Sequence, residues 1–599
     1  MTLETPCPAT DADAAPSHDS QFALSDFRTT PRVLLISGMA LVVGAISSGV
    51  AWVLLWLIST ITNLAFYQRL SAAAATPQGH HLGYWVIVVP VIGALIIGLM
   101  ARYGSEKIRG HGIPEALEAI LLGRSRIQLK VALLKPISAA ISIGTGGPFG
   151  AEGPIIMTGG AFGSLFAQRF NLSAAERKTL LVAGAAAGMS AVFATPVAAL
   201  LLAVELLLFE WKPRSFIPVA VASVVASVLR MPLLGTGPIF PVVPHGPLSG
   251  TELACAAGVG LLAGFGSGLL TLLVYAFEDL FQKLPLHWMW WPAIGAVFIG
   301  IGGIIEPRVL GVGYGTIHGL LRGELFGAAV LGLMAAKALV WSIALGSGTS
   351  GGVLAPLLIM GGALGAAVSP WMPAGDAGLW ATLGMAAMMG GTMRSPLTAM
   401  VFAVELTRDF NLFPGLLTAS AAALLVTVLC MRRSILTEKL DRRGHHIVRE
   451  YSIDPFDLAR VGEVMDTTFA AIPASTTLGA LSDLIASGEE TISRRQGTLL
   501  VDEAGRLAGI ITRGDIVRAM RRPGAETLPA SEAGSTDLVV TYVDEPLHDA
   551  LGKMLSRDIG RLPVVDRGAP GHIKGYLGRA AILSARMRLH HEENIRQKG

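Results

Sequence analysis

The sequence predicts an α-helical polytopic membrane protein followed by a cytoplasmic α/β module. Of its 599 residues, 52% are hydrophobic and only 15% are charged, and the mean hydropathy is +0.57. This composition is too apolar for a soluble protein. After Cys430 the sequence becomes more polar and alternates short strand and helix patterns. We therefore expect a membrane domain and a separate soluble part.

Long apolar runs with few charges reach or approach the roughly 20 residues that a membrane-spanning helix needs. These runs are 33–65, 85–100, 253–277 and 412–431. Further apolar runs, at 135–167, 180–209 and 346–370, are interrupted by glycine and proline. Such interruptions free backbone polar groups, which are tolerated only where they are buried in protein or line a wet cavity. The pattern favours a transporter or channel over a simple anchor.

The two ends of the chain are both predicted to be cytoplasmic. The first 32 residues are rich in Ser, Thr, Pro and Asp and lack the features of a secretory signal, which indicates a disordered tail. Basic residues cluster directly after the last apolar run, at Arg432, Arg433, Lys439, Arg442 and Arg443. By the positive-inside rule they place the C-terminal part in the cytoplasm. We predict a multi-pass protein of the cell membrane.

Charge and cysteine content add little. The formal net charge of +3 is small for this length and says little about partners. The cysteines Cys7, Cys255 and Cys430 are scattered and show neither a disulfide framework nor metal-ligand spacing. We predict no metal site and no nucleic-acid partner.

The membrane region contains an internal repeat. GAEGPIIMTGGAFG at 150–163 matches GVLAPLLIMGGALG at 352–365, and TPVAALLLAVEL at 195–206 matches SPLTAMVFAVEL at 395–406. Two matches in the same order indicate a transporter fold with two related halves. The repeat alone leaves open whether the halves are inverted. In such folds the substrate site lies near the membrane midplane, at broken helices from both halves.

Each glycine-rich motif ends in a proline and is followed by an apolar helical run. Proline suits the first helical turn, because its missing N–H would have no partner there. The remaining free N–H groups and the helix dipole form a site for an anion. Two such helix starts, brought together, would bind a small anion without a buried lysine or arginine.

One acid, Glu152, stands in the first of these motifs. Next to free N–H donors, its carboxylate can occupy an anion position itself and leave when it is protonated. We predict that it acts as a proton-operated gate, since acids inside membranes are usually functional. The alternative is a carboxylate that caps the helix permanently.

Three motifs now stand in order: GHGIP at 110–114, GAEGP at 150–154 and GVLAP at 352–356. With the repeat, they resemble the anion-binding motifs of the CLC family of voltage-gated-type chloride channels and proton/chloride antiporters. The resemblance covers about residues 33–444 and continues into a pair of CBS motifs. It implies a CLC-type fold of two inverted repeats with broken helices. It also implies a homodimer with one anion pathway per subunit.

The resemblance also implies roles for individual residues. Glu152 matches the gating and proton glutamate, and the backbone amides of Val353 and Leu354 match those that hold the central anion. Glu210, in FEWKP, resembles the inner glutamate that relays protons in antiporters; the alternative is a solvated charge at a helix end. The implied anion-binding residues are Gly110, His111, Gly112, Ile113, Pro114, Gly150, Gly153, Gly352, Val353, Leu354 and Leu436.

Two of these positions depart from the family pattern. His111 replaces the usual serine of the first motif, and Leu436 stands where the last membrane helix usually has a tyrosine. Both side-chain donors to the central anion are thus lost or changed, which leaves the preferred anion open. His111 can still donate through a ring N–H; the alternative is a neutral histidine bonded to a nearby carbonyl and remote from the ion.

Four other acids are predicted to be structural. Glu115 and Glu118 follow the first motif by one turn and favour the positive end of a helix. Glu205 and Glu405 are related by the repeat.

The soluble part resembles two CBS motifs. We divide the chain into an N-terminal tail (1–32), a membrane domain (33–444), a linker (445–457), CBS 1 (458–522), CBS 2 (533–588) and a C-terminal tail (589–599). In this fold a Thr and an Asp commonly hold the ribose of an adenine nucleotide, and GIITRGDI supplies Thr512 and Asp515. The second copy has Gly578 and Ala581 instead. The alternative is a dimerisation module without a ligand.

Other classes of function fit the sequence less well. A zinc metalloprotease requires HExxH, which is absent, and a magnesium channel requires carboxylates along its broken helices. We therefore predict a transporter and not an enzyme, with no required cofactor. The predicted function is chloride/proton antiport, with a passive gated anion channel as the alternative. Its partners are chloride or another small anion, protons, the lipid bilayer and a second copy of the chain.

Overall fold

The computed structural model describes residues 31–121, 123, 125–373, 376–442, 459–488, 492, 496–594 and 596–597. Residues 1–30 of the predicted tail and the whole predicted linker lie outside this range. The described residues form two compact units: those up to Arg442, together with Arg596 and Gln597, belong to the first unit, and those from Ala459 to Asn594 belong to the second. The first unit is helical and the second contains small sheets, so the predicted fold class is confirmed.

The first unit is built from helices that follow one another with short connections. In chain order they are α1 (Arg32–Tyr67), α2 (Val88–Tyr103), α3 (Ile113–Leu121), α4 (Leu129–Gly144), α5 (Glu152–Ala167), α6 (Ala174–Phe193), α7 (Pro196–Leu202), α8 (Pro213–Leu234), α9 (Gly250–Gln282), α10 (Trp291–Ile305), α11 (Tyr314–Leu321), α12 (Ala328–Gly346), α13 (Leu354–Val368), α14 (Ala377–Met393), α15 (Pro396–Thr407), α16 (Phe413–Cys430) and α17 (Ile435–Arg442). A π-helical turn, Ala203–Leu208, continues α7.

Within the described residues, eight helical segments are long and apolar enough to cross a membrane. The four long runs predicted from the sequence fall within four of them: Arg32–Tyr67, Gly83–Tyr103, Gly250–Gln282 and Phe410–Arg442. The protein is therefore a multi-pass membrane protein.

The two repeated halves have the same helix order, since α3 to α8 recur as α11 to α16. The breaks recur as well. Both α6 and α14 end in a residue with left-handed backbone, Ala194 (φ 57°) and Arg394 (φ 55°). The next helix then starts with Pro196 or Pro396, whose missing N–H and fixed φ suit the first helical position.

Small residues let the motif helices pack deep inside the unit. A Cβ atom on Gly159 of α5 would overlap the carbonyl oxygen of Gly184 of α6, and Gly361 stands in the same relation to Gly384 in α13 and α14. Such close approach is typical of helix packing in membranes. In Leu354–Trp371, 78% of the residues are accordingly buried, whereas 39% are buried in an apolar 18-residue stretch of Arg32–Tyr67. The helices that carry the motifs thus form the core.

The second unit contains two sheets of the same design. Its strands are β2 (Ala471–Pro473), β3 (Gly497–Val501), β4 (Leu507–Thr512), β5 (Thr541–Tyr542), β6 (Arg561–Asp566) and β7 (Ala569–Gly578). In each sheet the first pair is parallel and the second pair antiparallel, in the orders β2-β3-β4 and β5-β6-β7. Two short strands lie elsewhere: β1 (Leu172–Ser173) pairs with β8 (Arg596–Gln597).

The helices of this unit pack against both sheets. They are α18 (Val461–Val464), α19 (Leu478–Ala486), α20 (Arg513–Ala519), α21 (Ala530–Ala533), α22 (Leu547–Ser556) and α23 (Arg579–Asn594). Val461 of α18 packs in the core of the second sheet, and Ala530 of α21 packs in the core of the first. Because each motif completes the core of the other, the pair folds as one unit. Helix α23 continues past residue 588, where the predicted second motif ends.

Candidate anion pathway

The start of α5 meets the start of α13 at a pair of glycines. Gly352 donates its N–H to the carbonyl oxygen of Gly150 at 2.9 Å, and Gly150 donates to that of Gly352 at 3.3 Å. A Cβ atom on Gly352 would overlap the carbonyl oxygen of Gly150, so only glycine permits this approach. Helix α5 begins two residues later at Glu152, and α13 begins at Leu354. Two positive helix ends therefore lie next to each other.

The first motif joins the same junction. Gly110 and Gly112 have left-handed backbone, with φ of +77° and +89°. A Cβ atom on Gly112 would lie 2.9 Å from the carbonyl oxygen of Gly153, and a Cβ atom on Gly153 would overlap that of His111. Gly110 also donates its N–H to the carbonyl oxygen of Gly348 at 3.4 Å. The structure thus brings the three predicted motifs together.

Backbone amides at this junction precede the first hydrogen bonds of their helices. Val353 is the N-cap of α13, and its carbonyl oxygen accepts the first bond, from Leu357 N–H, at 3.2 Å. The N–H groups of Val353 and Leu354 come before that bond, in the position where helix N–H groups have no intrahelical acceptor. Both residues are fully buried. In the first motif, Ile113 and Pro114 form the first turn of α3 in the same way.

Glu152 is fully buried at this junction. Neither of its carboxylate oxygens makes a hydrogen bond within the structure. Its own N–H and that of Ala355 interact favourably with the carboxylate without reaching hydrogen-bond geometry. A carboxylate that permanently capped the helix would accept such a bond. The gate and the permanent cap both remain predictions for Glu152.

His111 lies on the wall of a cavity on the α17 side of the junction. This inner cavity has a volume of about 560 Å³ and is lined by residues that include Arg109, His111, Tyr275, Trp288 and Lys439. His111 is only 3% exposed, and its Nδ1 atom has no hydrogen-bond partner. Nδ1, one of the two ring nitrogens, is thus not bonded to a nearby carbonyl.

Glu115 links the first motif to the last helix of the unit. Its Oε2 accepts a hydrogen bond from the N–H of Gly112, with an N···O distance of 3.0 Å. Its Oε1 accepts a hydrogen bond from Nζ of Lys439 in α17, with an N···O distance of 2.6 Å. The carboxylate is almost completely buried. It therefore fixes the loop that carries His111, in line with the predicted structural role.

Leu436 is fully buried in α17 and offers no hydroxyl. A hydroxyl nevertheless lies beside it: Tyr275 of α9 donates to the carbonyl oxygen of Ile435 at 2.6 Å and lines the inner cavity. Sequence reasoning missed Tyr275, because α9 is remote from α17 along the chain and tertiary folding alone brings them together.

Glu205 and Glu405 cap each other's neighbouring helices. Glu405 of α15 accepts the N–H groups of Val197 and Ala198 in α7, at 3.1 and 2.8 Å. Glu205 in turn accepts those of Leu397 and Thr398 in α15, at 3.3 and 2.8 Å. Each half therefore supplies the hydrogen-bond acceptor for the free N–H groups at a helix start of the other half.

Glu210 lies apart from the cavity. It follows the π-helical turn, its side chain is 12% exposed, and it pairs with Nζ of Lys212 at 2.8 Å. Its Oε1 also accepts the hydroxyl of Ser215 at 2.7 Å. It does not belong to the residues that line the inner cavity.

The sequence model of the voltage gated chloride channel family matches residues 92–428, more than half of the chain. The chain belongs to the voltage-gated chloride channel family. The predicted resemblance is thereby confirmed. The CBS domain model matches residues 461–522 and 530–588, which confirms the predicted pair. Anion transport is the function of this family, and the protein is a transport protein of that kind.

Individual relatives support the same assignment. The putative chloride channel protein ClcB-like of Ralstonia nicotianae is 28% identical over 349 residues, which cover 56% of this chain and 81% of the relative. The chloride channel protein CLC-f of Arabidopsis thaliana is 26% identical over 81% of this chain and 71% of its own length. A slow cyanobacterial Cl⁻/H⁺ antiporter has the same fold, with a TM-score of 0.61 and 21% identity over 69% of this chain and 98% of that one.

A further repeat in this chloride channel family member escaped the sequence analysis. The loop GVG at Gly311–Gly313 precedes α11, just as GHG at 110–112 precedes α3. Both glycines of GVG have left-handed backbone conformations, as do those of GHG. A fully buried lysine holds each loop. Lys135 Nζ donates to the carbonyl oxygens of Ile108 and Gly110 at 2.8 and 2.7 Å. Lys337 Nζ donates to those of Val309 and Gly311 at 2.8 and 3.3 Å. The signal in the sequence was a lysine 17 residues before each of Glu152 and Leu354.

In the CBS pair of this family member, the two predicted ligand residues form a capping box at the start of α20. The Thr512 hydroxyl donates to Oδ2 of Asp515 at 2.6 Å, and the same oxygen accepts the N–H of Thr512 at 2.9 Å. The Asp515 side chain is 20% exposed. Oδ1 of Asp515 accepts a hydrogen bond from Nη2 of Arg518 at 3.0 Å. A hydroxyl and a carboxylate are groups that can hydrogen-bond the hydroxyl groups of a ribose.

Proposed function

We propose that this protein exchanges chloride for protons across the cell membrane, through one pathway in each subunit of a homodimer. Glu152 carries the proposal. A carboxylate that is fully buried between two helix N-termini, with neither oxygen bonded, occupies a place that suits a small anion. Protonation removes its charge and frees that place. Anion and proton then alternate at one site, which is the physical basis of exchange.

The proposed anion route runs from the inner cavity past His111 to the N–H groups of Val353 and Leu354, and then to the position of Glu152. The ring of His111 replaces the expected serine hydroxyl as the side chain that faces the anion. Chloride is the proposed substrate because family members and a neighbour of the same fold carry it. Both terminal regions are proposed to lie in the cytoplasm, from the basic cluster after α16.

A passive gated anion channel is the second candidate, and one observation favours it. An antiporter needs a second proton carrier on the inner side, for which Glu210 is the candidate. Glu210 is already paired with Lys212 and Ser215 and does not line the inner cavity. In a channel, Glu152 would serve as a gate alone.

Proton uptake into liposomes distinguishes the two candidates. The purified protein is reconstituted, a chloride gradient is the only driving force, and the membrane potential is set so that a passive leak would move protons in the opposite direction. Uphill proton movement supports exchange, and Glu210→Gln then tests the inner carrier. Chloride flux without proton movement supports the channel. Absence of chloride flux contradicts both and directs the test to other anions.

We also propose that the first CBS motif binds an adenine nucleotide through Thr512 and Asp515. When bound, the nucleotide would act as a regulatory ligand and not as a required cofactor. Calorimetric titration of the full chain with AMP and ATP tests this site. Asp515→Ala is expected to abolish binding, whereas Asp537→Ala, at an exposed residue of the same unit, is expected to leave it unchanged. Equal binding by both variants would contradict the assignment and favour a dimerisation module.

A further inference from the structure

His245 lies between two carboxylates that come from other parts of the first unit. Its Nδ1 atom is 2.5 Å from Oδ2 of Asp409, and its Nε2 atom is 3.1 Å from Oδ2 of Asp376. Asp409 follows the end of α15, and Asp376 is the N-cap of α14. The His245 side chain is 13% exposed, that of Asp409 is fully buried and that of Asp376 is 48% exposed. One imidazole ring thus links three segments that are remote in the sequence.

The two contacts together favour a protonated ring. A neutral imidazole has one N–H group, and its second nitrogen carries a lone pair. An ionised carboxylate only accepts hydrogen bonds, so a neutral ring would turn a lone pair toward one of the two carboxylates. The imidazolium form presents an N–H group to each of them. With both carboxylates ionised, His245 therefore fits its surroundings best when it carries a positive charge.

The contact with Asp409 does not depend on this second proton. The backbone N–H of His245 also donates to Oδ2 of Asp409, at 3.0 Å, and its carbonyl oxygen accepts a hydrogen bond from Nδ2 of Asn411 at 2.6 Å. Because Asp409 is buried, a neutral ring keeps its remaining proton on Nδ1, where it bonds the buried carboxylate. Loss of a proton from the ring therefore breaks the contact between Nε2 and Asp376.

His245 belongs to a segment that covers the start of α11. This strap, residues 235–249, connects α8 and α9. Phe240 lies in it with 2% exposure and donates its N–H to the carbonyl oxygen of Leu406 at 3.1 Å. The ring of Phe240 packs edge-on against that of Tyr314, the first residue of α11, with 5.7 Å between the centroids. The strap thus closes over the helix start that follows the GVG loop.

The strap lies on the face of the unit opposite the inner cavity. Helix α9 begins directly after the strap, and its last residue, Gln282, lines that cavity. The 33 residues of α9 span roughly 50 Å at 1.5 Å per residue. Protons that reach His245 therefore come from the other aqueous side.

Among the described residues, the acidic groups within ion-pair distance of the His245 ring are Asp376 and Asp409. Neighbouring elements carry other charged or titratable side chains. Glu252 of α9 accepts the N–H of Ser249 at 2.6 Å, and Arg230 of α8 donates to the carbonyl oxygen of Gly235 at 2.6 Å. His318 of α11 lies 6.4 Å from Phe240 between ring centroids, and Arg408 is exposed next to Asp409 in the chain.

We propose that protonation of His245 closes the strap against the start of α14, and that loss of this proton releases it. Histidine is the side chain whose ordinary charge change falls between pH 5 and 8. A basic group that gains carboxylate partners in the closed state stabilises that state at low pH, and the contribution is lost as the pH rises. Acid on this face therefore holds Phe240 on Tyr314, and a higher pH opens the strap.

Hydrogen exchange of the full chain in detergent between pH 5 and 8, corrected for the intrinsic effect of pH, measures the opening. We expect wild-type protection of the strap, including the Phe240 N–H, to fall about threefold from pH 5 to pH 8. This size is typical of an ion pair with a partly exposed partner.

Two variants separate the ring from its partner. Asp376→Asn removes the charge that faces Nε2 but keeps an equally good N-cap for α14, so the pH dependence should disappear while α14 stays protected. His245→Gln should show at pH 5 the protection that the wild type has at pH 8, and no pH dependence. His81→Gln, at an exposed histidine between α1 and α2, is the control and should keep the wild-type dependence.

Equal protection of the wild-type strap at pH 5 and pH 8, or protection that increases with pH, would overturn the proposal. So would a pH dependence that persists in His245→Gln or in Asp376→Asn. Loss of α14 protection in Asp376→Asn, together with loss of strap protection at pH 5, would show that the helix cap and not the ion pair holds the strap.

Discussion

Gly150 and Gly352 exchange two backbone hydrogen bonds, and a side chain on Gly352 would collide with its partner. The two glycines come from different halves of the repeat. The proposed anion site around Glu152, Val353 and Leu354 therefore forms only when both halves have folded against each other. Neither half alone could hold an anion at this place.

The first prediction concerns this contact. Gly352→Ala places a Cβ atom on the carbonyl oxygen of Gly150 and 2.9 Å from Oε2 of Glu152. We expect the loops to separate, at a cost of about 1–3 kcal/mol as for other overpacked positions, and most anion flux to be lost. Liposome flux and thermal unfolding in detergent measure the two effects. Gly332→Ala is the control, because nothing lies within 4 Å of a Cβ atom at that position in α12. Wild-type flux in Gly352→Ala would show that the junction does not form part of the pathway.

The second prediction concerns the gate. Glu152→Ala removes the carboxylate that competes with the anion, so anion flux should persist and lose its dependence on pH. Proton movement coupled to that flux should fall below detection. Simultaneous recording of chloride efflux and internal pH in liposomes measures both. Glu324→Gln, at a side chain that is 63% exposed, serves as the control. Proton transport that survives in Glu152→Ala would refute the gate assignment.

The third prediction concerns the reciprocal caps. Glu205→Gln and Glu405→Gln each weaken two bonds to the start of a helix in the other half, and loss of a helix cap costs about 0.5–2 kcal/mol. We expect Glu205→Gln to lower the unfolding temperature more, because Glu205 also accepts the hydroxyl of Thr398 at 2.6 Å. Since the caps meet at one interface, the double variant should lose less than the sum of the two.

Thermal unfolding in detergent measures this series. Thr398→Val removes only the additional hydrogen bond. In that background, Glu205→Gln and Glu405→Gln should lower the unfolding temperature by similar amounts. Strictly additive losses would indicate that the two caps act independently.

The sequence allowed prediction of those parts of the site that recur in it. The repeated motifs around Glu152 and Leu354 predicted two helix starts. The match to the family model confirmed the predicted fold. Contacts made by a single side chain were harder to predict from the sequence. Lys135 and Lys337 lie inside apolar runs, where nothing local indicates that each bonds two carbonyl oxygens of a distant loop.

Contacts between remote helices could not be predicted at all. Tyr275 reaches the backbone of α17, and Arg109 stacks on Trp288, only because tertiary packing aligns helices far apart in the chain. Neither contact follows from spacing or periodicity. The sequence therefore predicts that the motifs exist, whereas the positions of the side chains around the cavity can be read only from the folded structure.

The last prediction concerns Glu545 in the second unit, between β5 and α22. Its carboxylate accepts the hydroxyl of Thr541 at 2.7 Å and pairs with Nζ of Lys553 at 2.7 Å. Burial raises the pKa of the Glu545 carboxyl, but the hydrogen bonds from Lys553 and Thr541 outweigh burial, so the pKa lies below its ordinary value of 4.5. A group whose pKa is lower in the folded state stabilises that state above its unfolded pKa. The contribution is lost as the pH falls from 4.5 through the folded pKa.

Hydrogen exchange of the full chain, corrected for the intrinsic effect of pH, measures the outcome. In the wild type, protection of β5 and α22 should decrease on acidification through this range, beyond any decrease in the first sheet. Glu545→Gln should lower protection already at pH 7 and remove this additional acid dependence, because its amide cannot gain or lose the proton. Asp549→Asn, at an exposed position of the same helix, is the control. If Glu545→Gln kept the acid dependence, another carboxylate would be responsible, and the Glu545–Lys553 pair would not anchor β5 to α22.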